Sequence, residues 1–223
     1  MSETAYGDKL RWGQTLALGM LVSLWRILLP TNTDITIAVV ALVALLDLAL
    51  TAAVVFLNRK ELKDAWARRF AGKDVVRTVV LFAICVSAHR IFSLIYQVPI
   101  NGVPIIETLA NTPPPADWVA MEFQRVFPLG IFISAVILAP IWEETVFRLA
   151  GKNLIKNPIL FVVITTCMFA FIHTVNFSIV SSMNYLFFGL VFSVSYLVLK
   201  DIRILMITHF LWNLMVSIII SLS

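Results

Sequence analysis

Seven apolar stretches, parted by short polar or proline-bearing breaks, divide the chain at 12–29, 35–57, 78–96, 127–154, 159–173, 184–199 and 204–220. They are of the length that lets a helix cross a hydrocarbon core of ~30 Å, and none shows the alternation with turn signals of a membrane β-strand. The pattern predicts an all-α fold, a polytopic transmembrane helical bundle of about seven spans. An eighth, re-entrant element inside the basic stretch between the second and third spans is the alternative. Breaks are supplied by Pro30 to Asp34, by a loop over 98–118 rich in proline, and by Asn157-Pro158, where proline suits the first turn of a new helix.

Composition sharpens this picture. The 223 residues are 60% hydrophobic and 13% charged, with a mean hydropathy of +0.93, too apolar for a soluble domain. The net charge of +4 does not point to nucleic acid, because lysine and arginine gather in short clusters beside apolar runs, at 9–11, 59–77, 148–156 and 200–203. Each cluster is separated from the next by two spans. The positive-inside rule assigns all four to the cytosol, with the N-terminus inside and, after seven spans, the C-terminus outside. The bilayer is therefore the first partner, and the cell membrane the expected location. Residues 58–77 carry seven basic against three acidic side chains and read as an interfacial or connecting helix with Trp66 and Phe70 placed to dip into lipid. Cys85 and Cys167 both fall in apolar spans and read as small hydrophobes.

Charges inside apolar spans change the question from fold to chemistry, since an ionisable residue in hydrocarbon is costly and marks function by default. Ile141 to Arg148 reads IWEETVFR. On an α-helix Glu144 and Arg148 stand at i and i+4 and can pair, while Glu143 points about 100° away. Glu143 and His173 each lie 15 residues from Pro158, ~22 Å along a helix, so antiparallel packing brings them to one level. His209 and Asn213 share a face of the last span, ~9 and ~15 Å above Arg203. These depths agree if the hairpin around Pro158 extends about two turns into the cytosol. One carboxylate, two imidazoles and an amide from three spans can activate water and stabilise an oxyanion, or bind a divalent metal. Asp47, His89 and Arg90 read first as structural, with His89 and Arg90 pairing to Asp47 or Glu122.

Three motifs in this order, EExxxR (Glu143, Glu144, Arg148), FxxxH (Phe169, His173) and HxxxN (His209, Asn213), resemble those of the CPBP intramembrane proteases. That family, also called Abi, groups type II CAAX prenyl endopeptidases with bacteriocin-processing and bacteriocin-immunity proteins. The resemblance covers residues 127–220. It divides the chain into an N-terminal transmembrane region, 1–126, with its basic connecting helix, and a protease-like catalytic core, 127–223. It implies an endopeptidase opening toward the cytosol and acting on membrane-associated, C-terminally lipidated or other peptides. By the same resemblance Glu143 and His173 activate water, His209 and Asn213 stabilise the oxyanion, and Glu144 with Arg148 holds the helix. Zn²⁺ bound by Glu143, His173 and His209 is the alternative to a reaction without cofactor. Three such ligands would leave no general base, so glutamate-activated water is the reading adopted. Two other functions compete: a non-catalytic scaffold or immunity protein of the same fold, and a small transporter with Asp47, His89, Arg90 and Glu143 as a polar relay.

Overall fold

The computed structural model of the chain describes residues 3–28, 37–96, 99–100, 103–104, 132–173 and 179–222. They form α1 (Glu3–Leu28), α2 (Ile37–Leu57), α3 (Arg59–Ala67), α4 (Gly72–Tyr96), a helical run α5 (132–154), α6 (Pro158–His173), α7 (Ile179–Leu199) and α8 (Ile202–Leu222). One minimal antiparallel pair, β1 (Pro99–Ile100) against β2 (Val103–Pro104), accompanies them. Apart from this pair the described elements are all helices, as the apolar pattern predicts. The turn at 30–34, most of the loop 98–118, Glu122 and the start of the fourth span at 127–131 lie outside the described residues.

Helix ends differ from the apolar limits where polar side chains extend a helix beyond its apolar part. α4 begins at Gly72, six residues before the predicted third span, because Asp74 accepts the Ala71 N–H at 3.0 Å in the first turn. α6 starts where expected, with the Asn157 Oδ1 accepting the Ile159 and Leu160 N–H groups at 2.9 and 3.1 Å ahead of Pro158. The basic stretch is not one helix. α3 stops at Ala67, and the chain turns through 68–71 before α4. Leu62 and Ala65 of α3 are buried and Trp66 is 55% exposed, but Phe70 packs on the core with the Arg203 guanidinium 5.3 Å from its ring centroid. Phe70 therefore anchors the turn and does not face lipid.

The outward surface is apolar. On α4 Val76, Val79, Val80, Ile84, Ile91 and Leu94 are exposed while Thr78, Leu81 and Cys85 face inward. A contiguous exposed apolar face of this extent suits a lipid surrounding. Among the described residues one helix, over Ile202–Ile219, is long and apolar enough to cross a membrane, with shorter apolar helices at Ala44–Leu57, Pro158–His173 and Met183–Leu199.

The main core takes side chains from both halves of the chain: Leu50 and Val54 of α2, Leu81 and Cys85 of α4, Trp142, Val146 and Phe147 of α5, Phe169 of α6, Phe188 and Phe192 of α7, and Leu205 of α8. Glycine permits close approach where helices cross. A Cβ at Gly19 would stand 2.7 Å from the Val146 side chain, and one at Gly189 would stand 3.0 Å from the Thr166 backbone. Beside the second crossing the Thr165 and Ser193 hydroxyls meet at 2.9 Å, satisfying two buried polar groups at once.

A second, smaller cluster joins Trp12, Leu62, Ala65, Leu149, Ala150, Ile202 and Met206, so the four basic clusters of the sequence gather at one end of the bundle. Ion pairs stitch that end. Arg11 grips Glu61 through both oxygens at 2.6 and 2.8 Å. Arg203 grips Asp201 at 2.7 and 3.0 Å and donates to the Arg68 carbonyl. Asp201 also caps α8 by accepting the Arg203 N–H, after a tight turn in which Lys200 takes φ 51°.

Burial pushes the Asp201 carboxyl up, but the hydrogen bonds and charge of Arg203 outweigh it and hold the group below its ordinary 3.8. Glu61 follows the same pattern, with Arg11 outweighing burial to hold it below 4.5. Both depressed carboxylates contribute stability that is present above those ordinary values and lost as pH falls through the lower folded ones. Thermal melting in detergent is expected to hold level from neutral pH to about pH 4.5 and to fall in more acid solution. Asp201→Asn should melt lower at neutral pH and show a shallower acid decline, and an unchanged profile would remove Asp201 from the stabilising set.

Candidate active site

The site begins with the winding of α5. It runs as a π-helix over Phe132–Leu138, as an α-helix over Ala139–Glu143, as a π-helix over Glu144–Ala150 and as an α-helix over Gly151–Leu154. Pro140 has no N–H to donate and its ring crowds the carbonyl four residues back, so a widened turn before it relieves both faults. The two glutamates straddle the change from α to π winding. Glu143 is 2% exposed, Glu144 1% and Arg148 0%.

Glu144 and Arg148 stand 3.3 Å apart through Oε2 and Nε, yet the pair is not aligned as a hydrogen bond. The π winding offsets the two residues from the stacking that i and i+4 have on an α-helix. The guanidinium Nη atoms likewise have no hydrogen-bond partner among the described residues. Aromatic faces surround the cation instead, with Phe169, Phe147 and Phe192 centroids at 5.0, 5.9 and 6.0 Å. Such contacts are worth ~0.5–2 kcal/mol each, more when desolvated.

Glu144 has a second partner that its spacing to Arg148 does not reveal: its Oε1 lies 3.0 Å from His209 Nδ1. A carboxylate beside an arginine accepts, so the proton of neutral His209 sits on Nδ1 and its Nε2 carries a lone pair. His173 is set the same way from a different source. Its Nδ1 donates to the Phe169 carbonyl, one turn earlier, at 2.8 Å. Both Nε2 atoms face Glu143: His173 Nε2 is 3.7 Å from Oε1, and His209 Nε2 is 3.9 Å from Oε2. These gaps exceed a direct hydrogen bond and match two groups that one small molecule, such as water, can touch together.

Asn213 stands one turn beyond His209 and donates from Nδ2 to the Ala135 carbonyl at 2.8 Å, in the first π segment of α5. That bond fixes the amide and leaves its second N–H. Tyr185 of α7 lies outside the three motifs and stacks on His173, with centroids 4.2 Å apart and planes 19° from parallel. The sequence signal for it was an aromatic face on α7 at Tyr185, Phe188 and Phe192, the spacing of one inward helix stripe. The Ala135 carbonyl had no sequence signal, because any residue type presents one. Of the other polar residues, Asp47 is buried on α2, His89 lies edge-on to Trp212 at 5.3 Å, and Arg90 is exposed. Arg90 therefore does not join a buried relay, and Glu122 lies outside the described residues.

Comparison with known proteins agrees with the motifs. Residues 125–215 match the family model described as Rce1-like, type II CAAX prenyl endopeptidase. Over those residues the match supports the resemblance that the motifs carry. No curated protein and no solved structure matches the chain. The Rce1-like region takes in α5 through most of α8, so it contains every motif residue. The match supports a CAAX-type protease role in general terms, in a family that is embedded in membranes.

Zinc was the alternative cofactor, and the donor chemistry resembles a zinc site in kind, since ligating imidazoles characteristically give their other N–H to a carboxylate or carbonyl. Among the described residues no three His, Cys, Asp or Glu side chains come together closely enough to hold a metal ion. No step below is routed through the ion.

Removing one partner of a buried pair leaves an uncompensated charge and costs ~3–5 kcal/mol. Arg148→Ala should therefore lower the melting temperature and yield in detergent, and the double variant Glu144→Gln with Arg148→Met should recover part of the loss. Arg148→Ala melting with the wild type would show that the guanidinium does not stabilise this centre.

Proposed function

We propose that the protein is an intramembrane endopeptidase that hydrolyses peptide bonds of membrane-associated, including C-terminally lipidated, peptides by glutamate-activated water. The observation that carries this reading is the placement of a buried carboxylate between two imidazoles whose Nε2 atoms both face it. Water between Glu143 and His173 gives one proton to the carboxylate while its second O–H donates to the His173 lone pair. Its oxygen attacks the scissile carbonyl carbon, and the carbonyl oxygen becomes the oxyanion. The second N–H of Asn213 donates to that oxygen, and His209, once it has taken a further proton from solvent at Nε2 beside the one held on Nδ1, donates with it. Collapse returns the electron pair, the C–N bond breaks, and the proton held on Glu143 passes to the leaving amine. Glu144 acts through His209 by holding its Nδ1 proton.

We further propose that the helices make seven spans with the basic end, the N-terminus and the site opening in the cytosol. The gathering of the basic clusters at one end supports a common side for them. His209 lies seven residues past Ile202 on α8, ~10 Å from that end at 1.5 Å per residue, which suits a site just inside the membrane surface. Cysteine labelling in intact cells should find residue 72 accessible from the cytosol and residue 110 from the opposite side. Labelling of both from one side would overturn the span count.

Purified protein in detergent, incubated with lipidated and unlipidated peptide libraries, tests the chemistry. Glu143→Ala or His173→Ala should cut turnover by ~10²–10⁴-fold or more while membrane insertion stays intact. Turnover near wild type in either variant removes that residue from the mechanism. Cleavage by no form of the protein would favour the non-catalytic scaffold. Stoichiometric zinc on elemental analysis, with activity lost on chelation and restored on its return, would refute glutamate-activated water as written.

A further inference from the structure

We propose that Tyr185 is a positioning residue for His173, one that keeps Nε2 aimed at Glu143 by covering the imidazole face. This inference rests on the hydrolytic reading of the site and adds a residue that none of the three motifs contains.

The two imidazoles are held unequally. His209 is pinned by the Glu144 carboxylate and packed against Phe192 and Phe169, with centroids at 5.4 and 6.3 Å. His173 is at the last residue of α6 and its side chain is 20% exposed, the most open of the charged and imidazole groups at the site. Rotation about χ2 would carry Nδ1 off the Phe169 carbonyl and Nε2 away from Glu143 together, so whatever resists that torsion preserves both contacts. The χ2 torsion of histidine is broad and supplies little resistance of its own.

A face-on contact removes that freedom. The Tyr185 ring lies 4.2 Å from the imidazole and nearly parallel to it. Phe169 approaches from a second direction at 4.6 Å with a 37° tilt. Any rotation of the imidazole out of plane must displace one of these rings. Tyr185 is itself packed against the main core, so it is a firm wall and not a loose neighbour. Its position on α7 also makes the site depend on the α6–α7 pairing, which Gly189 and the Thr165–Ser193 contact bring close. Displacing a reacting group by about 1 Å can cost on the order of 10²-fold in rate.

The test compares Tyr185→Phe, which keeps the ring, with Tyr185→Leu, which removes it. Peptide cleavage kinetics give kcat and KM, and NMR of histidine-labelled protein in micelles reads the ring-current shift on the His173 proton signals. Tyr185→Phe should keep both the shift and kcat. Tyr185→Leu should lose the shift and drop kcat by about 10–100-fold with KM changed little. Wild-type kcat in the leucine variant would overturn the proposal, as would a phenylalanine variant as impaired as leucine, which would transfer the role to the hydroxyl. Absence of the shift in the wild type would deny the stack itself. A protein that shows the shift but cleaves no peptide sinks the protease reading instead, and leaves Tyr185 a packing contact.

Discussion

A guanidinium sealed from water is the constraint on which the centre of this protein depends. Arg148 is among the largest fully buried side chains, with 0% of it exposed. Glu144 supplies the opposite charge, and three phenyl rings supply their negative faces. Glu144 lies against the arginine through one oxygen and toward His209 through the other. The pair that looks like a structural brace thereby also sets which nitrogen of His209 carries its proton. Support and chemistry are joined through one carboxylate, while its neighbour in sequence, Glu143, turns the other way.

The rest of the bundle serves that arrangement at close range. π turns on either side of Ala139–Glu143 accommodate Pro140 and re-aim the residues after it. The Ala135 carbonyl from the first π segment holds Asn213 of α8, so the same irregular helix presents both glutamates and fixes the amide opposite. Outside this core the helices present valine, leucine and isoleucine at the surface, a face that suits lipid. At the basic end Arg11, Glu61, Arg68, Asp201 and Arg203 join α1, α3 and the α7–α8 turn, and Asp201 serves as helix cap and ion-pair partner together. The polar groups of this end pair with one another around the small apolar cluster that joins α1, α3, α5 and α8 there.

Much of this was readable in the chain. Apolar length predicted the helices, and the turn at Asn157-Pro158 fell where hydrogen-bond chemistry requires it. Spacing placed Glu143 and His173 at one level and put His209 and Asn213 on one face, and the three motifs pointed to the family whose model matches residues 125–215. Limits set by hydrophobicity alone missed the early start of α4 and the break after α3, because both are decided by backbone hydrogen bonds and by Phe70 finding the core. The exposed Arg90 shows the converse: a charge within an apolar run can lie on an outer face.

By itself the sequence determined periodicity, the level of each polar residue along its helix and the chemical types available, since these follow from helix rise and side-chain identity. Only the tertiary structure decided which nitrogen of each histidine is engaged, because the acceptors are a carboxylate 65 residues away for His209 and a local carbonyl for His173. It also decided that Glu144 serves two partners and that Tyr185 faces His173. Contacts of this kind depend on the angle at which separate helices cross and on small departures from α winding. Neither quantity is encoded in the spacing along any one helix, so residue-by-residue reading can name the participants but not their partners.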